Sequence, residues 1–134
     1  SPNIVADLRK WSWTGERPDL VWASPPCDEF ARESMPWCRM GKQPDMSLIE
    51  ASRRIIMECN PRWWIIENVR GAVPYIGTCT MRYGSIYLWG VFPFFLANKQ
   101  YWKERLSSKQ KRQRSKIPYE ISIALCLACE RSIG

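Results

Sequence analysis

Asp19-Leu-Val-Trp-Ala-Ser-Pro-Pro-Cys27 is the stretch from which the fold reads. Asp19-Leu-Val-Trp-Ala-Ser24 reads as a short buried strand. Pro25-Pro26 ends it, because neither ring nitrogen can donate to a neighbouring strand. Downstream, Ser47-Leu-Ile-Glu50 has the spacing of a capping box, in which the Ser47 hydroxyl and the Glu50 carboxylate satisfy each other's backbone amides. The helix it opens carries Leu48, Ala51, Ile55 and Cys59 on one stripe and stops at Asn60-Pro61. Trp63-Trp-Ile-Ile66 follows as a second buried strand, ending in Glu67-Asn68. Ile4-Val5 suggests a shorter strand before the first, ending near Asp7, and residues 83–91 read as a further strand. Pro118 fits the first turn of a closing helix carrying Ile121, Ala124, Leu125 and Ala128. Strand, helix, strand with unbroken apolar strands predicts an α/β fold on a parallel sheet with flanking helices.

The chain has 134 residues, enough for one domain with a real core. Hydrophobic residues make up 46% and charged residues 25%, the balance of a folded rather than a disordered chain. The longest apolar stretch, residues 85–97, is broken by Gly90 and Pro93 and is too short for a membrane span. Asp7, Arg9 and Lys10 interrupt any signal-peptide core. There is no histidine, which excludes Ser-His-Asp and Cys-His catalysis and every histidine-based metal site. Cys126-Leu-Ala-Cys129 has no second pair to complete a metal site, and its helical spacing favours core packing; no metal is expected. With six cysteines and no secretory signal, buried or reactive thiols in a reducing, cytoplasmic setting are expected.

The net charge of +7 is localised. Eight basic residues fall between Lys99 and Lys116 against one acid, Glu104, and the rest of the chain balances at twelve and twelve. Residues 92–116 therefore read as a short basic and aromatic DNA-contact segment. Lys109, Lys111, Arg112, Arg114 and Lys116 are its candidate phosphate contacts. A solvated loop is the plainer reading of the charge alone. Phe94, Phe95, Tyr101 and Trp102 suit base stacking and packing under that loop equally well.

In parallel α/β sheets ligands bind beyond the carboxyl ends of the strands. Asp7, Cys27 and Glu67 all fall at such ends. A cysteine held by two prolines has little backbone freedom, and a helix starting beside it would favour the thiolate. A carboxylate directly after Trp-Trp-Ile-Ile should be poorly solvated and its pKa raised. Together these groups suit one chemistry on a pyrimidine: sulfur adds to C6 of cytosine while the acid serves N3, and electron density builds at C5. Inside a duplex the base must first be flipped out.

Asp19-Leu-Val-Trp-Ala-Ser-Pro-Pro-Cys-Asp-Glu-Phe30 resembles the Pro-Cys motif of DNA cytosine-5 methyltransferases, and Trp63-Trp-Ile-Ile-Glu-Asn-Val-Arg-Gly71 resembles their Glu-Asn-Val motif. Their order, spacing and intervening helix agree, in the style of the small phage-type members. The resemblance implies a Rossmann-like, S-adenosylmethionine-dependent methyltransferase fold. It makes Cys27 the nucleophile and Glu67 the N3 acid, with Asn68 and Pro26 shaping the loop. It makes S-adenosylmethionine the methyl donor, with Asp7 and Leu8 at the position that contacts its adenosine. The family's glycine-rich donor loop has no counterpart among the seven glycines. Residues 1–134 are therefore expected to be an N-terminally incomplete catalytic domain, its donor loop supplied by a preceding segment or a separate chain.

Gln110-Lys-Arg-Gln-Arg114 matches a further family element literally but lies after the expected strand rather than before it. A zinc cytidine deaminase is excluded, since position 30 is Phe and no histidine exists. Amino-methyltransferases share Ser24-Pro25-Pro26 but place an aromatic where Cys27 stands. The rival of another class is a non-catalytic nucleic-acid-binding remnant, or a subunit of a split methyltransferase. RNA offers the same C5 chemistry as DNA. No membrane partner is expected.

Overall fold

The computed structural model describes residues 4–31, 41, 43–96 and 119–133. The chain divides into two compact units, Ser1–Val91 and Phe92–Gly134. In the first, β1 (Leu20–Ala23), α1 (Ser47–Cys59) and β2 (Trp63–Asn68) form the expected strand, helix, strand. A 3₁₀ turn (Arg70–Ala72) leads into α2 (Val73–Ile76), then β3 (Met81–Tyr83) and β4 (Ile86–Val91). These strands make a four-stranded sheet in the order β1-β2-β4-β3. The fold is α/β.

The sheet is mixed, which corrects the expectation of a parallel one. β1 and β2 are parallel, with Ala23 opposite Ile66, but β4 runs antiparallel to both β2 and β3. The cause is the two-residue turn Gly84-Ser85, where Gly84 has φ +57°. Such a turn returns the chain antiparallel, whereas a parallel crossover needs a dozen residues or so. The expected strand over residues 83–91 is therefore two: Tyr83 closes β3 and the long strand begins at Ile86.

The sheet core is built on β2, where Trp63, Ile65 and Ile66 are buried. Ile66 joins Ile49 and Ile56 of α1, Phe30, Ala72, Tyr87 and Trp89 in one cluster. Each fully buried Ile or Leu contributes about 1.5–3 kcal/mol by leaving water. Helix α1 buries Ile49, Ala51, Ser52, Ile55, Ile56 and Cys59, with Leu48 half-buried at the margin. It ends as expected at Asn60, in the left-handed region, whose N–H reaches the Ile56 and Met57 carbonyls. Its start differs from the expected capping box. Asp45 Oδ1 accepts the Ser47 N–H at 2.8 Å, and Glu50 turns to Arg53 at 2.7 Å, so the reciprocal Ser47–Glu50 arrangement does not form.

The expected strand at Ile4-Val5 is also corrected. Neither residue is in a strand, and they are 68% and 98% exposed. β-propensity makes a strand only where a neighbour pairs with it. Arg54 of α1 holds the following segment instead, donating to the Leu8 carbonyl at 2.8 Å and the Trp11 carbonyl at 2.7 Å. Glu58 accepts the Trp13 N–H at 3.0 Å.

In the second unit, α3 (Tyr119–Ile133) buries Ile121, Leu125 and Cys129 along one stripe. Ala124 and Ala128 are half-buried, and Cys126 is exposed, so of the Cys126–Cys129 pair Cys129 alone packs as expected. Phe95 is buried against Phe92, with ring centroids 5.9 Å apart, while Phe94 is exposed. Among the described residues no helix is long and apolar enough to cross a membrane.

Candidate active site

Parallel pairing brings the carboxyl ends of β1 and β2 out side by side. β1 stops at Ala23, and Ser24-Pro25-Pro26 carries the chain to a single turn closed by the Phe30 and Ala31 N–H groups, both donating to the Cys27 carbonyl at 2.9 Å. Glu67 and Asn68 are the last two residues of β2. Asn68, 1% exposed, donates from Nδ2 to the Pro25 carbonyl at 3.0 Å and accepts the Val69 N–H at Oδ1, 2.9 Å away. A buried amide left unpaired would cost about 1–3 kcal/mol. Here both of its ends are used, and the bond to Pro25 ties the Cys27 loop to the strand that carries Glu67.

The electrostatics of the pair follow from this placement. Burial pushes the Glu67 carboxyl up, and a hydrogen bond from Ser24 partly opposes it. The Trp22 indole donates to Ser24 Oγ at 2.7 Å. Since an indole can only donate, the Ser24 hydroxyl accepts from Trp22 and keeps its own proton for Glu67. The Cys27 thiol is pushed up by burial, then by the charge of Asp28, and less by that of Glu67; a backbone hydrogen bond pulls it down. Burial and these two negative charges therefore oppose the thiolate, and residues 32–40, where a following helix would run, lie outside the described residues.

A cavity of about 200 Å³ lies beside this loop, lined by Pro25, Pro26, Asp28 and Glu29 on one side and by Asp45 and Ser47 at the start of α1 on the other. Neither Cys27 nor Glu67 lines it, so the cavity adjoins this pair without containing either residue. Glu29 Oε2 accepts the Asp45 N–H at 3.2 Å and joins the two walls.

Asp7 and Leu8 are exposed, in a turn rather than at a strand end. Both Asp7 carboxylate oxygens accept from the Arg9 side chain, at 2.9 and 3.1 Å, and these bonds lower the Asp7 pKa. Arg9 also acts on the charge of Asp45, at the cavity rim. Cys27, Glu67, Asn68 and Pro26 are thus brought together, while the Asp7 turn is tied to α1. Lys109, Lys111, Arg112, Arg114, Lys116 and the Gln110–Arg114 match lie outside the described residues, as does Cys38. Sequence reasoning missed the Trp22–Ser24 pair and the bridge from Glu29 to Asp45; nothing in the apolar pattern signals either. Among the described residues no group of three or more acidic, cysteine or histidine side chains is placed to hold a metal ion.

Compared with protein-family models, with curated proteins and with solved structures, the chain finds no match.

Proposed function

We propose that this chain activates C5 of cytosine in DNA through a covalent bond between Cys27 and C6, as the catalytic region of a DNA cytosine-5 methyltransferase on a Rossmann-like sheet. The observation that carries the reading is the convergence of Cys27 and Glu67 at the ends of two adjacent parallel strands, locked by the Asn68–Pro25 bond. The motif resemblance supports it independently.

The chemistry balances with these groups. Cys27 is half-buried, so its thiol proton leaves to water. The thiolate sulfur bonds to C6 of a flipped cytosine, and the C5–C6 π pair shifts to C5. Glu67, whose burial favours the protonated form, gives its proton to N3, so the adduct carries no added charge. The Ser24 hydroxyl then stabilises the carboxylate that results. C5 is left electron-rich and ready for an electrophile. In this reading Lys109, Lys111, Arg112, Arg114 and Lys116 hold the DNA backbone.

The resemblance names S-adenosylmethionine as the source of an electrophilic methyl group, with Asp7, Leu8 and Pro26 beside it. The cavity next to Pro26, about 200 Å³, is smaller than the roughly 300–1,000 Å³ of ordinary ligand pockets, and its rim is acidic. This cavity therefore does not hold the whole donor, and the reading rests on the cytosine chemistry. A second reading, a non-catalytic DNA-binding remnant or split-enzyme subunit, is favoured by the raised Cys27 thiol, which leaves less thiolate at neutral pH.

Covalent trapping tests the proposal. Wild-type chain and Cys27→Ser are mixed with 5-fluorocytosine DNA of randomised sequence in the presence of S-adenosylmethionine. Fluorine cannot leave C5 as a proton does, so sulfur stays on C6 after transfer. A Cys27-dependent adduct supports the reading; DNA retained with neither an adduct nor exchange of the cytosine C5 hydrogen favours the non-catalytic one.

A further inference from the structure

Gly71 follows Glu67 by four residues, in the 3₁₀ turn through which the chain leaves β2. A Cβ added there would collide with the Phe30 carbonyl oxygen and stand 2.9 Å from its carbon. This is backbone against backbone, so no side-chain rotation relieves it. Neither partner has room to retreat. Phe30 is 2% exposed and packs on Tyr75 with ring centroids 5.9 Å apart. On the other side, Ala72 is fully buried, and its N–H donates to the Val69 carbonyl at 3.0 Å.

Phe30 is also the back of the turn that begins at Cys27, since its N–H donates to the Cys27 carbonyl. The Cys27 loop is therefore gripped at two points by one short stretch: Asn68 holds Pro25 and Gly71 seats Phe30, with the cysteine between them. We propose that Gly71 is a positioning residue for Cys27: its missing side chain lets the exit turn of β2 seat the cysteine loop against Glu67. A methyl group at position 71 unseats the sulfur from the carboxylates that face it. This inference rests on the proposed role of Cys27, but its test reads the thiol directly.

Burial and the charges of Asp28 and Glu67 hold the thiol up, so unseating the loop releases it toward an ordinary cysteine. The experiment follows the rate of iodoacetamide labelling at Cys27 against pH, by peptide mass spectrometry, on the whole chain. The exposed Cys126 serves as internal reference. Gly71→Ala is expected to move the Cys27 curve to lower pH, with labelling roughly threefold faster at neutral pH and that of Cys126 unchanged. Gly77→Ala is the control: its φ is +111° but a Cβ there meets nothing within 4 Å, so it strains the backbone without touching the loop. An unmoved Cys27 curve, an equal change at Cys126, or the same shift from Gly77→Ala each overturns the proposal. If Gly71→Ala does not fold, Phe30→Leu loosens the same turn from its other side. It must shift Cys27 in the same direction, and an unmoved curve again overturns the idea. If the curve responds but wild-type chain fails to activate cytosine, the positioning role stands and the cytosine reading falls.

Discussion

The Asn68 side-chain amide donates to the Pro25 carbonyl at 3.0 Å, binding the end of one parallel strand to the loop that leaves its neighbour. That bond holds a thiol and a carboxyl group at the carboxyl ends of two adjacent strands. Asn68→Ala leaves the Pro25 carbonyl without this donor and the Val69 N–H without its acceptor. The expected cost is about 1–3 kcal/mol in a urea denaturation series, with any Cys27-dependent activity falling further than stability does. A variant as stable as wild type contradicts the structural role given to Asn68.

The Cys27 thiol responds to its neighbours in a fixed order. At the alkaline pH where it ionises, Asp28 and Glu67 are both charged and oppose the thiolate. Asp28→Asn and Glu67→Gln should each shift the Cys27 labelling curve to lower pH, and Asp28→Asn by more, because its charge acts more strongly. Equal curves for wild type and both variants place the carboxylates too far away to matter.

Glu67 also makes stability depend on pH. Its pKa is raised in the folded chain, so the fold binds that proton more tightly than the unfolded chain does. Its contribution is present below the unfolded value, about 4.3, and is lost as pH rises through the folded value. Glu67→Gln keeps an acceptor for Ser24 but cannot titrate. Relative to wild type, it should gain stability at pH 7.5, and the gain should vanish near pH 4. A gain that is the same at both values removes the burial argument.

Arg54 and Glu58 anchor residues 8–13 to α1. Arg54→Met should free this segment, with faster tryptic cleavage after Lys10 and faster exchange of the Trp13 amide, while core amides stay protected. Uniformly faster exchange would instead mean that the substitution loosens the whole unit.

Salt dependence probes the basic segment. Neutralising five phosphate contacts gives a log–log slope of binding against salt of about −4.5 on duplex DNA. Replacing Lys109, Lys111, Arg112, Arg114 and Lys116 by Gln should flatten the slope by that amount. An unchanged slope, or no binding by the wild-type chain, contradicts the phosphate contacts proposed for these residues.

The strand, helix, strand core was legible because Leu20–Ala23 and Trp63–Ile66 are unbroken apolar runs with Asn60-Pro61 before the second. Cys27 and Glu67 were legible because each directly follows its strand's apolar run or the prolines that end it. Strand direction was not: a strand buried on both faces looks alike in either orientation, and the Gly84-Ser85 turn decides it. Ser47 was misread as a cap because the helix begins one residue earlier: the Glu50 N–H donates to the Met46 carbonyl, and Asp45 accepts the Ser47 N–H that the Glu50 carboxylate would take. The state of the Cys27 thiol was hidden because two prolines show restraint, not which charges the restrained loop will face.

The most direct measurement of the central claim needs no methyl donor. Addition of Cys27 to C6 makes C5 basic; C5 takes a proton from water, and loss of its original hydrogen with expulsion of sulfur restores cytosine. DNA carrying tritium at cytosine C5 should therefore release tritium to water with the wild-type chain and not with Cys27→Ser, and Glu67→Gln should slow the release strongly. Release that persists in Cys27→Ser, or wild-type chain that binds the DNA and releases none, contradicts the assignment of Cys27 as a nucleophile toward cytosine.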